Sequence, residues 1–391
     1  MEQVELLLLI ASLVAIVCRY IKLPYTIGLV LAGLGLSLMG VEFTIHLSKE
    51  LIFSVLLPPL IFEAALHLRW RDLKVELPVA LPLATLGVIL AAVASSAVLV
   101  LLAGQSWQTA LIIGVVMSAT DPVSILALLK ESKLPPRIHR LIEAESILND
   151  GTAAVLFTLA LSVIAGSVTS GQFITLSLTA IGLGLLIGVA IGLVALAIAR
   201  RTEDHLVELA VTTVAAYASF IIAEDAHASG VLATLVAGMV LGNLGGRGAI
   251  TEKGHETTIA FWEFAGFVSN SIIFLLIGAD LTLWRSGVTN SLVFWTIIAS
   301  IISRAVAVYI GCLPLALTRH RVPKPIKNLL FFGGLRGALA LALVLGLPTE
   351  IPAREDIISA VFLAVAFSVI FQGLTAGSVI TRSADGLKGY E

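Results

Sequence analysis

Apolar windows of about twenty residues recur from one end of the chain to the other, separated by short polar stretches, which is the pattern of membrane-spanning helices. Read by length and periodicity, the pattern predicts thirteen helices, at roughly 4–21, 24–41, 49–68, 77–103, 108–129, 139–166, 173–199, 206–225, 228–243, 258–283, 289–317, 325–347 and 356–381. The second and ninth are short and contain glycine. The expected fold class is an all-α polytopic membrane protein, one transmembrane unit over 1–391 with no sizeable soluble domain.

Composition agrees: 58% of residues are hydrophobic and 13% charged, against about 25% charged in soluble domains. The net charge of −2 gives no basic footprint for a nucleic acid. The opening "MEQVELLLLI" carries Glu2 and Glu5 rather than a basic leader, so no signal peptide is expected. Cys18 and Cys312 stand far apart and suggest neither a disulfide framework nor a cysteine metal motif. "GHETT" lacks the second histidine of a HExxH zinc motif.

The 24 Lys and Arg test the span count. With the N-terminus outside, nineteen fall in the odd-numbered gaps and the C-terminal tail, and three (Lys49, Arg285, Arg354) fall in the even-numbered gaps. The positive-inside rule places the richer side in the cytoplasm. The expected location is the inner (plasma) membrane, multi-pass, with the C-terminus cytoplasmic. The remaining two, Arg304 and Arg336, lie inside spans.

Several ionisable groups sit where lipid would be costly: Glu63, Asp121, Glu145, Asp150, Arg304 and Arg336. A charge at the bilayer centre costs about 2.5–3.5 kcal/mol on insertion scales, so these side chains must face protein or a water-filled cavity. Asp121 and Asp150 each lie about twelve residues into a span, near the midplane at about 1.5 Å per residue. In "ESILNDG", Ser146 and Asp150 share one helix face and Glu145 and Asn149 an adjoining one. In "SATDPVS", Pro122 removes a backbone donor and biases Asp121 away from helical geometry, freeing carbonyls around Ser118 to Thr120 for a cation. In "FFGGLRGALALAL", Gly333, Gly334 and Gly337 weaken the helix around Arg336. Two interrupted, antiparallel spans in matching halves point to an inverted-repeat transporter. Gly184, Gly188 and Gly192 form a close-packing face, within or between protomers.

"SATDPVS" and "ESILNDG", with "FEAAL" upstream and "GGLRGALALAL" downstream, resemble the NhaP-type sodium/proton antiporters of the monovalent cation:proton antiporter-1 family, which are related to animal sodium/hydrogen exchangers. The resemblance covers the whole chain. It implies an NhaA-like fold with two broken crossing helices and a homodimer. It also implies a six-helix transport bundle (77–166 and 289–381) moving against a dimerisation scaffold (1–68 and 173–283). For the ion site it implies Asp150 and Asp121 as carboxylates, with Ser146 and the Thr120 carbonyl as further Na+ ligands. Glu63 contributes through water or is a buried protonated acid. Asn149 is expected to clamp the broken helices, and Glu145 and Arg336 to pair with one another. The implied activity is exchange of a monovalent cation, Na+ first and Li+ or K+ as alternatives, for H+. One-for-one stoichiometry is expected, since Asn149 cannot ionise. No enzyme activity and no cofactor beyond the transported ion are expected. The partners are Na+, H+, lipid and a second copy. A potassium/proton antiporter or a cation channel is the rival reading; a channel would need a filter-like loop, and none is visible.

Overall fold

The computed structural model describes residues 2–21, 23–41, 43, 47–121, 134–166, 170–246, 248–280 and 290–376. The second half of the fifth expected span, the end of the tenth and the end of the thirteenth lie outside them. All regular structure among the described residues is helical: α1 (Glu2–Ile21), α2 (Tyr25–Leu38), α3 (Lys49–His67), α4 (Trp70–Leu101), α5 (Trp107–Val116), α6 (Pro136–Ile164), α7 (Ser170–Ala199), α8 (His205–Asp225), α9 (Gly230–Leu244), α10 (Glu252–Ala279), α11 (Ser291–Leu317), α12 (Lys324–Phe332), α13 (Ala338–Leu345) and α14 (Arg354–Ala376).

Nine of these helices are long and apolar enough to cross a membrane, not thirteen. Each of the other four expected spans does hold helix, but short or interrupted. α2, α5 and α9 are 14, 10 and 15 residues long. The expected span 325–347 is divided into α12 and α13 by a non-helical stretch at 334–337. The physical reasons are local. Gly333 ends α12 as its C-cap, and its N–H closes on the Leu329 carbonyl. α5 stops at Val116, before Pro122. α4 starts at Trp70 rather than near 77, because Arg71, Asp72, Lys74 and Glu76 form a polar first part of a helix that hydrophobicity alone reads as loop. Pro82 sits immediately before a π-helical turn at Leu83–Gly87, as expected where a missing N–H shifts the hydrogen-bond ladder.

The chain divides into two compact units. One comprises 1–48, 76–153 and 271–391, the other 49–75 and 154–270; the boundaries pass through α4 after Val75, through α6 after Ala153 and through α10 after Asn270.

The second unit has a core of small residues around two aromatics. Trp262 is fully buried, stacks obliquely on Phe62 with centroids 4.6 Å apart, and donates its indole N–H to Thr212 Oγ1 at 3.1 Å. Gly184, Gly188 and Gly192 of α7 lie against Ser229, Ala233 and Val240 at the start of and along α9, within one chain. A β-carbon on Gly188 would meet Val236 Cβ at 2.8 Å, so α7 and α9 approach only because this stripe is bare.

The first unit uses the same device. Gly114 of α5 lies against Ala92 and Ser96 of α4, and Ser96 Oγ donates to both the Ala92 and the Ala110 carbonyl. Ser37 Oγ donates to the Ala279 carbonyl at 2.6 Å, tying α2 to the end of α10. This unit holds the interrupted stretches and therefore the candidate site.

Candidate functional site

The site begins with two places where helix stops. After α5, Met117 and Ser118 close a last turn onto Ile113 and Val115. Residues 119–121 then leave helical geometry. The Asp121 N–H donates to the Leu335 carbonyl at 2.7 Å, so the stretch after α5 is hydrogen-bonded to the stretch between α12 and α13. Gly337 makes the approach possible: a β-carbon there would lie 2.7 Å from Asp121 Cγ.

Each stopped helix leaves carbonyls without intrahelical partners, and each has an arginine to take them. Arg336, 1% exposed, donates from one terminal nitrogen to the Ser118 and Ala119 carbonyls at 3.1 and 3.0 Å. Its other terminal nitrogen donates to the Ser300 carbonyl at 3.2 Å and to Ser303 Oγ at 3.5 Å. Arg304 does the same for α12, donating from Nε and Nη2 to the Leu330 carbonyl at 3.1 and 2.7 Å. It also grips Glu145 with two bonds, at 2.8 and 3.3 Å. Its guanidinium lies over Gly334, where a β-carbon would be 2.8 Å from Cζ.

Two expectations are corrected by this geometry. The acid Glu145 is paired with Arg304, not with Arg336. Arg336 is held by carbonyls and hydroxyls instead, which suits a cation at a helix C-terminus. Of the carbonyls offered to a cation around Ser118 to Thr120, two are taken by Arg336, which leaves Thr120 as the one to consider. Sequence reasoning missed Arg304 as the partner of Glu145, along with the serines around Arg336. The signal available was two arginines inside spans, Arg304 and Arg336, and spacing alone could not say which of them meets Glu145.

The remaining candidates converge on α6. Thr120 Oγ1 donates to Ser146 Oγ at 3.2 Å, and Asn149 Nδ2 donates to Thr120 Oγ1 at 3.3 Å. Thr120, Ser146 and Asn149 are each buried to within 2% exposure, and Asp121 is 7% exposed. Asp150 is half-buried, and its Oδ1 is shut from solvent without a hydrogen-bond donor from the protein. Asn149 Oδ1 is in the same condition. Glu63 belongs to the other unit, where its carboxylate lies 3.9 Å from His67 Nδ1 and packs over Gly266. Asp121, Asp150, Ser146 and Thr120 offer carboxylate, hydroxyl and carbonyl oxygens, a hard set that suits an alkali cation.

Residues 7–382 match the family model described as "Sodium/hydrogen exchanger, transmembrane". The chain belongs to the sodium/hydrogen exchanger family. Within it, the chain is similar to the Na(+)/H(+) antiporter ApNhaP of Aphanothece halophytica, 38% identical over 380 residues, which cover 95% of this chain and 72% of that protein. It is 31% identical over 398 residues to the Na(+)/H(+) antiporter NhaH of Halobacillus aidingensis, 97% of each chain being covered. The fold is similar to that of the sodium proton antiporter MjNhaP1 from Methanocaldococcus jannaschii, with a TM-score of 0.79 at 19% identity, covering 95% of this chain and 98% of that one. As a member of this exchanger family the protein is a multi-pass membrane transporter for Na+ and H+, not an enzyme.

Proposed function

We propose that this chain exchanges one Na+ for one H+ by letting both ions compete for a single site at Asp150, with Asp121, Ser146 Oγ and the Thr120 carbonyl as the other ligands. The observation that supports this most is the Asp150 carboxylate, one oxygen of which is shut from solvent without a hydrogen-bond partner, on the helix whose Ser146 and Asn149 are hydrogen-bonded to Thr120. A buried polar oxygen left without a partner is costly. A bound proton or a bound cation removes that cost, and one carboxylate cannot hold both. Asn149, which donates to Thr120 rather than titrating, holds the stretch after α5 against α6. Glu145, Arg304 and Arg336 fix the two helix breaks and do not bind the ion.

In this reading the four short or interrupted helices complete thirteen crossings, arranged as inverted repeats with α5 and the α12–α13 pair as the broken, crossing members. The six-helix bundle of 77–166 and 289–381 carries the site and moves against the scaffold of 1–68 and 173–283. Two copies associate through the scaffold in the plasma membrane, with the N-terminus outside and the C-terminus in the cytoplasm. A potassium/proton exchanger would use the same chemistry, so cation choice is decided by assay.

The test is reconstitution of Asp150→Ala into vesicles, with Na+-driven proton flux as readout and size-exclusion behaviour as the control for folding. Flux should vanish while the protein still inserts and elutes like the parent. Near-normal exchange in that variant would overturn the assignment.

A further inference from the structure

Outside the ion site, the first unit has a cleft of about 110 Å³ lined on one side by Glu76 and Val79 of α4 and Arg137, Ile138 and Leu141 of α6. The other side is the loop from Arg319 to Pro323 and Ile326 of α12. The lining holds three guanidiniums, Arg137, Arg319 and Arg321, and the imidazole of His320, against a single carboxylate. That carboxylate, Glu76, is 1% exposed and lies 3.4 Å from Arg137 Nε, so it anchors Arg137 from beneath. Arg319 and Arg321 are exposed, and neither forms an ion pair among the described residues. The first turns of α6 and α12 both border the cleft, adding the positive ends of two helices.

Like charges gathered around a concave space repel one another, and an anion held between them relieves that repulsion. Guanidiniums match a phosphate group in geometry, donating paired hydrogen bonds to its oxygens. We infer that this cleft is a binding site for a phosphate-type oxyanion, held by Arg319, Arg321 and Arg137. The basic-residue count puts it on the cytoplasmic side, where anionic lipid headgroups and free phosphate are both at hand. An anion there would bridge the start of α6, which carries Glu145 to Asp150, and the start of α12, which ends at the break holding Arg336. Occupancy would thus brace the two elements that build the ion site. The inference does not depend on which cation is transported, and its test reads binding rather than transport.

The experiment is thermal unfolding of the purified protein in a zwitterionic detergent, titrated in one arm with inorganic phosphate and in the other with phosphatidylglycerol, with phosphatidylcholine as blank. The parent should gain several degrees in at least one arm, because a ligand that binds only the folded state stabilises it. A gain with phosphate alone assigns a soluble anion, and a gain with phosphatidylglycerol alone assigns a lipid headgroup. Arg319→Gln/Arg321→Gln should weaken the apparent affinity about tenfold or more, the loss expected for charge-assisted hydrogen bonds. Arg200→Gln/Arg201→Gln, a basic pair outside the cleft, should titrate like the parent. Equal titrations for the parent and the Arg319/Arg321 variant, or no shift with either anion, would overturn the inference. Should the Arg319/Arg321 variant not fold, Arg319→Lys serves: it keeps the charge but loses the paired donors, and an affinity unchanged by it would also overturn the site.

Discussion

Arg304 joins two things that lipid would not tolerate apart, the Glu145 carboxylate and the unpaired end of α12. Removing one partner of a buried pair leaves the other charged and unmatched, at about 3–5 kcal/mol. Arg304→Ala and Glu145→Ala should therefore each lower the melting temperature in detergent more than Asp150→Ala, and the double variant should recover part of the loss. In a double-mutant cycle the coupling of Glu145 with Arg304 should exceed that of Glu145 with Arg336; the reverse order would contradict the pairing described above. Arg336→Lys should also destabilise, since a single ammonium cannot reach the Ser118, Ala119 and Ser300 carbonyls together. Melting curves of Arg336→Lys that superpose on the parent would remove the helix-end role. At this scale the buried charges Asp121, Glu145, Arg304 and Arg336 were readable in the sequence, because each acid or arginine inside an apolar run demands a reason. The partner of Glu145 was not, because two arginines were equally placed along the chain and only packing brings Arg304 alongside.

The two interrupted segments are held together by one backbone hydrogen bond, Asp121 to Leu335, and by the bareness of Gly337. A methyl group at 337 would have to displace Asp121 or the α13 N-terminus. Gly337→Ala is expected to insert and elute like the parent but to need a markedly higher Na+ concentration for half-maximal flux. Gly246→Ala, where a β-carbon meets nothing within 4 Å, should behave like the parent. Parent-like Na+ dependence in Gly337→Ala would show that the contact does not position Asp121. Hydrophobic windows gave away every helix at this scale, since each expected span contains one among the described residues. They could not give length. A glycine pair such as Gly333 and Gly334 inside an apolar run reads as a weak helix, and whether it stops the helix depends on Arg304 being there to donate to the freed Leu330 carbonyl. The polar first turns of α4 were hidden for the opposite reason: Arg71, Asp72, Lys74 and Glu76 look like a loop until Glu76 is seen buried against Arg137.

For the whole molecule, the proposal of one titrating site has an electrical consequence. One Na+ leaving for each H+ entering moves no net charge, whereas a second proton would couple the cycle to voltage at about 2.3 kcal/mol per 100 mV. In vesicles with a potassium–valinomycin potential, the sodium and proton gradients at which flux stops should not depend on that potential. A null point that moves with voltage would mean that another acid, Glu63 first in line, carries an extra proton. The central claim is narrower: Na+ and H+ displace one another at Asp150. It is tested most directly by calorimetric titration of Na+ into the purified protein at a series of pH values, in buffers of different ionisation heat. Sodium binding should release about one proton, weaken as the pH is lowered, and disappear in Asp150→Asn. A Na+ affinity that is independent of pH, with no proton released, would contradict the account.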